Sequence, residues 1–178
     1  INFESKALGM PVMTNVLMPQ GRGGYKTLYL LHGAGGDYAS WLLKSRVADY
    51  AEGKNIAVVM PSGNNKCYVN NRYGKDYFTF LTEELIEKCE TWFDLSPKKE
   101  ERFIAGMSMG GYGAYKWGLT CPEKFAAIGG VAGSYHAEYR YQGKVNTVST
   151  LCEALYGDPP AITPEVHDVF TLLKNRKE

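Results

Sequence analysis

The chain has 178 residues, of which 44% are hydrophobic and 22% are charged, and its formal net charge is +1. These values are typical of one soluble globular domain that is large enough to bury a real core. No basic cluster, no apolar run of membrane-spanning length and no signal peptide is visible in it, so the sequence predicts no nucleic-acid partner and no membrane partner.

Strand-like and helical segments alternate along most of the chain. The runs 2–7 and 12–18 predict an antiparallel hairpin at the edge of a sheet. The runs 27–31, 56–60, 102–106 and 125–131 are largely apolar, which is typical of buried parallel strands. Strand alternating with helix predicts an α/β fold, as one domain over residues 1–178, with a mostly parallel sheet and helices on both faces.

The longest predicted helix covers residues 78–93 and is amphipathic. Its apolar stripe consists of Phe78, Leu81, Leu85, Cys89 and Trp92. Its glutamates are expected to face water: Glu83, Glu84, Glu87 and Glu90. Two more helices are predicted near 147–156 and at 164–175, and Thr163 and Pro164 begin the second of them.

The cysteines are widely spaced and form no Cys-x-x-Cys pair. They are Cys67, Cys89, Cys121 and Cys152. This spacing favours neither a zinc site nor a redox motif. Free thiols are typical of a reducing compartment, so a cytoplasmic protein is expected.

A Gly-x-Ser-x-Gly pattern at 106–110 follows the apolar run 102–105 and precedes a segment, 111–119, that predicts a helix. A serine on such a strand-to-helix turn has its hydroxyl exposed above the sheet. Gly106 and Gly110 leave room for the turn, because a Cβ at either position would crowd the backbone. The pattern therefore predicts Ser108 as a catalytic nucleophile, and the alternative is a tight turn with an incidental serine.

A serine nucleophile needs N–H donors for the oxyanion that forms during attack. One predicted donor is the backbone N–H of Met109, directly after Ser108. The second is expected from the glycine-rich loop at 32–36, where Ala34 is the first choice and Gly35 the next. The alternative for this loop is a plain glycine turn.

A long polar and aromatic loop at 62–76 follows the second parallel strand and should reach the same sheet edge as Ser108. It carries Tyr68 and Tyr73, while Trp41 lies just past the loop at 32–36. These three rings are predicted to wall off a small substrate pocket. The alternative is that they are core residues.

Three segments together resemble a known family: 32–37 (His-Gly-Ala-Gly-Gly-Asp) with Trp41, residues 70–84, and 106–114. They are similar to the bacterial tributyrin esterases, which belong with the S-formylglutathione hydrolase (esterase D) group of α/β-hydrolases. The resemblance covers essentially the whole chain. It implies an α/β-hydrolase fold, a carboxylic-ester hydrolase with Ser108 as the nucleophile, a small-molecule ester substrate and no cofactor.

The chain departs from this family after Ser108. The family's acid and histidine follow the serine in that order, at the ends of two further strands. Here the acidic and basic candidates are Asp158, Asp168, His136 and His167. The pair Asp158 and His167 has the right order, but Asp158 lies in a predicted turn and His167 is predicted to face water on the last helix. His32, which precedes Ser108, is expected to have a structural role.

The chain is therefore expected to be C-terminally incomplete and to lack the base, its acid and the last strands. The run at 125–131 would then be an edge strand that pairs with a second copy or with the protein's own C-terminal piece. Three functions stay open: a serine esterase of short-chain acyl esters, an acetyl or feruloyl esterase of plant polysaccharide, and a non-catalytic binding protein.

Overall fold

The computed structural model of the chain describes residues 1–21, 23–135 and 163–176. The strands are β1 Asn2–Ser5, β2 Met10–Leu17, β3 Lys26–Leu31, β4 Ile56–Pro61, β5 Arg102–Met107 and β6 Ala127–Val131. The α-helices are α1 Ser40–Lys44, α2 Val47–Ala51, α3 Tyr77–Thr79, α4 Ile86–Trp92, α5 Met109–Thr120, α6 Pro164–His167 and α7 Val169–Lys174. A π-helical turn, Phe80–Leu85, joins α3 to α4, and short 3₁₀ helices lie at Lys99–Glu101 and Pro122–Lys124.

The described strands form one sheet in the order β1-β2-β4-β3-β5-β6. β3 is parallel to both β4 and β5, and β6 is parallel to β5. β2 is antiparallel to β4 and forms the predicted edge hairpin with β1. Both faces of the centre are covered, since Tyr29 and Leu31 are buried on one face and Val58 and Met60 on the other. The predicted α/β fold with four parallel strands is confirmed.

The parallel strands end together at one edge of the sheet, and the segments that follow them meet there. β3 continues into the loop at 32–36, β4 into the loop at 62–76, and β5 into Ser108. The topology therefore places the glycine-rich loop and the predicted nucleophile on neighbouring strands.

Helix α5 lies directly against the sheet, on the face that carries Gly110, Ala114 and Gly118. A Cβ added to Gly110 would lie 2.2 Å from the carbonyl oxygen of Leu31, and one added to Gly118 would lie 2.4 Å from the side chain of Ile128. Ala114, between them on the same face, is fully buried. Small residues on this face let the helix approach the strands closely.

The helical segment from Tyr77 to Trp92 differs from its prediction in two glutamates. Glu84 accepts hydrogen bonds from Ser5 Oγ at 2.5 Å and from the N–H of Ala7 at 2.8 Å. Glu90 forms an ion pair with the buried guanidinium of Arg102. These two carboxylates attach the helix to β1 and β5, so the expectation that they face water is wrong.

The last described helices begin at Thr163 and Pro164, as predicted. The segment is divided at Asp168, whose Oδ1 accepts a hydrogen bond from the N–H of Thr171 at 2.8 Å and so caps α7. The helix predicted near 147–156 lies outside the described residues.

Cys89 and Cys121 are free thiols, as expected, and Cys152 lies outside the described residues. No helix in the described part of the chain is both long enough and apolar enough to cross a bilayer.

Candidate active site

Ser108 has a strained backbone at the junction of β5 and α5. Its φ is +54° and its ψ is −119°, a conformation that L-residues rarely adopt and that typically costs about 1–3 kcal/mol. Its N–H donates to the carbonyl of Val131 at 2.8 Å, and its own carbonyl accepts from the N–H of Tyr112 at 3.1 Å. These contacts on both sides hold the strained residue in place, and its side chain is half-buried.

The two motif glycines are required by close contacts. A Cβ on Gly106 would lie 2.3 Å from the carbonyl oxygen of Gly110, across the turn that contains Ser108. A Cβ on Gly110 would overlap the carbonyl groups of Leu31 and His32 on β3 and the loop after it. The predicted reason for both glycines is therefore confirmed.

The glycine-rich loop at 32–36 lies beside Ser108. A Cβ on Gly33 would lie 3.4 Å from the Cβ of Ser108. The N–H of Gly36 donates to the carbonyl of Gly33 at 3.1 Å. The φ of Gly35 is +75°, whereas the φ of Ala34 is not positive. This combination is a type II β-turn with Ala34 and Gly35 in its centre.

The N–H groups near Ser108 differ in their availability. Met109 is the first residue of α5, and N–H groups in the first turn of a helix have no intrahelical partner. The N–H of Ala34 donates to no described residue, whereas the N–H of Gly35 donates to Oδ1 of Asn65 at 2.6 Å. Between the two predicted loop donors, Ala34 is the one left available by the described residues.

His32 connects the ends of β3 and β4. Its Nε2 accepts from the N–H of Gly63 at 2.8 Å, so its Nδ1 carries the proton and donates to the carbonyl of Gly33 at 2.7 Å. Burial lowers the pKa of the imidazole, and the contact with Gly33 and the charge of Asp37 offset this only in part. The structure gives His32 the structural role that was expected of it.

The three predicted pocket aromatics have different environments. Tyr68 is 1% exposed, and its hydroxyl donates to the carbonyl of His32 at 3.0 Å. Its ring fills the space beside Gly63 and Gly113, where a Cβ would touch it. Tyr68 is thus a core residue, and its assignment to the pocket wall is wrong because the loop at 62–76 folds back over β3.

Trp41 is half-buried and packs against the core of Leu30, Val58 and Met60. Tyr73 is 73% exposed. Their assignment to a pocket wall stays a prediction.

The described acidic and basic candidates are engaged elsewhere. His167 Nδ1 lies 3.1 Å from both the N–H and the carbonyl of Thr163, and Asp168 caps α7. His136 and Asp158 lie outside the described residues. Within the described part of the chain, Ser108 Oγ has no hydrogen-bond partner, so no described residue is its general base in this structure.

Asn65 was missed by sequence reasoning. It stands in the loop after β4, and its side chain binds the turn beside Ser108. Its only signal in the sequence is its place in a long loop rich in asparagine, which does not distinguish it from its neighbours.

Comparisons with known proteins agree on the kind of protein. Residues 5–159 match the family model named Esterase, described as "putative esterase". The chain is 36% identical over 140 residues to an acetyl esterase of Caldicellulosiruptor saccharolyticus, an alignment that covers 72% of this chain and 53% of the relative.

Two solved structures from Staphylococcus aureus are similar over 98% of this chain and 71% of their own. FphF, a fluorophosphonate-binding serine hydrolase, has a TM-score of 0.86 and 31% identity. The S-formylglutathione hydrolase FrmB has a TM-score of 0.83 and 31% identity. The chain thus spans about half the length of the acetyl esterase and less than three quarters of these structures.

Proposed function

Because the chain belongs to the Esterase family, we propose that the full-length protein is a serine carboxylesterase with Ser108 as its nucleophile. The observation that carries the proposal is the positive φ of Ser108 at the end of β5, which holds a half-buried hydroxyl beside the glycine-rich loop. In that loop the N–H of Ala34 donates to no described residue. The proposed substrate is a small-molecule ester, and the proposed reaction needs no cofactor.

In the proposed mechanism, Ser108 Oγ attacks the ester carbonyl carbon while a base takes its proton. The negative charge that forms on the carbonyl oxygen is stabilised by the N–H groups of Met109 and Ala34. Collapse of this intermediate expels the alcohol and leaves an acyl group on Ser108, and water then releases the acid. We propose that the base and its acid come from a part of the full-length protein outside the described residues.

The proposed substrates carry short acyl chains, from acetyl to butyryl. One observation and one prediction support this preference. The relative that covers 72% of the chain is named an acetyl esterase. Bulky rings at Trp41 and Tyr73, on segments that flank the predicted site, would limit the space for a longer chain.

Substitution of the nucleophile tests the proposal. In the full-length protein, Ser108→Ala is expected to lower kcat for p-nitrophenyl acetate by about 10⁴-fold or more, as loss of a triad serine does. Thr91→Ala, which removes an exposed hydroxyl from α4 that binds the carbonyl of Glu87 in the same helix, serves as the control and should keep wild-type turnover. Near wild-type turnover in Ser108→Ala would refute the assignment, and a wild-type protein that hydrolyses no ester would favour a non-catalytic binding protein.

A further inference from the structure

We propose that Met107 is an oxidation site at the active centre, where a peroxide converts its thioether to the sulfoxide and thereby lowers esterase activity. The inference rests on the proposed function, since it concerns the same site. It starts from the position of Met107, which is the last residue of β5 and directly precedes Ser108.

The side chain of Met107 lies against the glycine-rich loop and beside the nucleophile. A Cβ built on Gly33 would lie 3.5 Å from Cε of Met107 and 3.4 Å from the Cβ of Ser108. The methyl group of Met107 and the Cβ of Ser108 thus border the same small space beside Gly33. The next residue of the loop is Ala34, whose N–H is a proposed oxyanion donor.

Met107 is also accessible. It is 46% exposed, whereas Met109, on the other side of Ser108, is 8% exposed. Side chains alternate along β5, so Met107 lies on the same face as Ala105, which packs in the core that contains Trp41. An ester that reaches Ser108 enters the space beside Met107. A peroxide is smaller than an ester, so in the full-length protein it reaches the thioether by the same route.

The oxidation transfers one oxygen atom and two electrons. A lone pair of Sδ attacks one oxygen of hydrogen peroxide, and the O–O bond breaks. The departing hydroxide takes the proton of the transferred oxygen and leaves as water. The sulfur is thus oxidised to the sulfoxide while the peroxide is reduced. Exposure favours this reaction at Met107 over Met60 and Met109, which are buried.

The sulfoxide acts on the site differently from the thioether. A thioether sulfur is apolar and only a weak hydrogen-bond acceptor, whereas a sulfoxide is polar and its oxygen carries partial negative charge. Beside the loop at 32–36, this oxygen would compete for the donors of the proposed oxyanion site and repel the negative charge that forms on the substrate. Both effects oppose the transition state, so kcat is expected to fall.

The experiment compares the full-length wild type with Met107→Leu and Met13→Leu after treatment with hydrogen peroxide. Met13 is a matched control because it is 45% exposed and lies on β2, three strands away from β5 in the sheet. Leucine nearly conserves the volume of methionine and has no sulfur. Activity toward p-nitrophenyl acetate is expressed as a fraction of that of the same untreated protein, so a change in basal turnover does not enter the comparison.

Two further measurements identify the oxidised group. Mass spectrometry of proteolytic peptides gives the sulfoxide content at positions 13 and 107. Methionine sulfoxide reductases reverse the oxidation of methionine and not that of cysteine. Cysteine oxidation is, in addition, common to all three proteins and therefore cancels in the comparison.

The wild type and Met13→Leu should lose activity about tenfold or more, in step with the sulfoxide content at position 107, since removal of one oxyanion donor costs about 10²–10³-fold. Methionine sulfoxide reductases should restore both proteins, and Met107→Leu should keep most of its activity. If Met107→Leu does not fold, the sulfoxide content and activity of the wild type decide the question alone.

Three results would each overturn the inference. They are equal inactivation of Met107→Leu and wild type, complete oxidation of Met107 without loss of activity, and oxidation of Met13 with none at Met107. Each of these leaves the proposed function intact. An untreated wild type that hydrolyses no ester would instead refute the proposed function, and the inference with it.

Discussion

At the scale of single residues, His32 fixes the direction of the proposed oxyanion donor. Its Nδ1–H holds the carbonyl of Gly33, and a planar trans peptide directs the following N–H, that of Ala34, the opposite way. Its Nε2 needs the N–H of Gly63 as a donor, which is possible only while the imidazole is neutral. The site therefore depends on an uncharged, buried histidine.

This dependence predicts a loss of stability in mild acid. Burial lowers the pKa of folded His32 below its ordinary value of 6.5, so between these two pKa values the unfolded state binds more protons than the folded state. The free energy of unfolding should fall as the pH drops below about 6.5. In His32→Gln this fall should be smaller, and at pH 8 the variant should be about 1–3 kcal/mol less stable because buried hydrogen-bonding groups lose their partner.

Urea unfolding of the full-length wild type and His32→Gln at pH 8, 6.5 and 5 measures both effects. The difference between the two proteins isolates His32 from other groups that titrate in this range. An identical pH dependence in both would show that His32 does not contribute to it.

The residues that sequence reasoning places correctly are those with local causes. Gly106 and Gly110 flank a turn that crowds any Cβ, so the local sequence alone accounts for both. Tyr68 and Asn65 have no such local cause. Whether an aromatic residue of a polar loop is buried, and which asparagine reaches another loop, depends on how two distant segments pack.

At the scale of elements, the contact between α5 and β3 sets the height of Ser108 above the sheet. In Gly110→Ala the new Cβ would meet the backbone of Leu31 at 2.2 Å, so the helix must shift. Overpacking of this kind costs about 1–3 kcal/mol, against a gain of about 1 kcal/mol from alanine in a helix. We expect a lower Tm and a large loss of esterase activity, because Ser108 and Met109 move with the helix.

Gly129→Ala on β6 is the matched control. Its Cβ would lie 3.5 Å from that of Ala105, which is an ordinary contact. Thermal unfolding and p-nitrophenyl acetate hydrolysis of both full-length variants check the comparison. Equal effects at the two positions would contradict the importance of the α5–β3 contact.

The helical segment from Tyr77 to Trp92 shows where periodicity is insufficient. A strict 3.6-residue period predicts one apolar stripe, but the π-helical turn at Phe80–Leu85 shifts the phase. Phe80, Thr82 and Ile86 are buried in addition to the predicted Leu81, Leu85 and Cys89. Phe78 is only half-buried, and Trp92 is 46% exposed. A π-helical turn leaves no clear mark in the sequence, so this shift could not be predicted.

At the scale of the whole molecule, the fold gathers the proposed pocket from distant parts of the chain. Each added methylene of an acyl group gains about 0.8 kcal/mol only while it enters apolar space. With Trp41 and Tyr73 as walls, kcat/KM of the full-length protein for p-nitrophenyl esters should peak between acetyl and butyryl and fall steeply by octanoyl. A kcat/KM that still rises at decanoyl would rule out a small pocket.

The described sheet ends at β6, whose outer edge has no strand beside it among the described residues. Val131 at the end of β6 is 68% exposed. An unpaired edge of low charge favours pairing with a further strand. Association with a second copy, or with a further part of the same protein, therefore stays a prediction for this edge.

The hydrogen bond from the N–H of Ser108 to the carbonyl of Val131 links this edge to the nucleophile. The amide proton of Ser108 exchanges with solvent deuterium only when that bond opens. Its exchange rate therefore reports how often the end of β6 separates from the turn at Ser108. A strand that pairs with β6 would slow this exchange. The deuterium uptake of the Ser108 amide therefore reports, at the nucleophile itself, whether a further strand has extended the sheet.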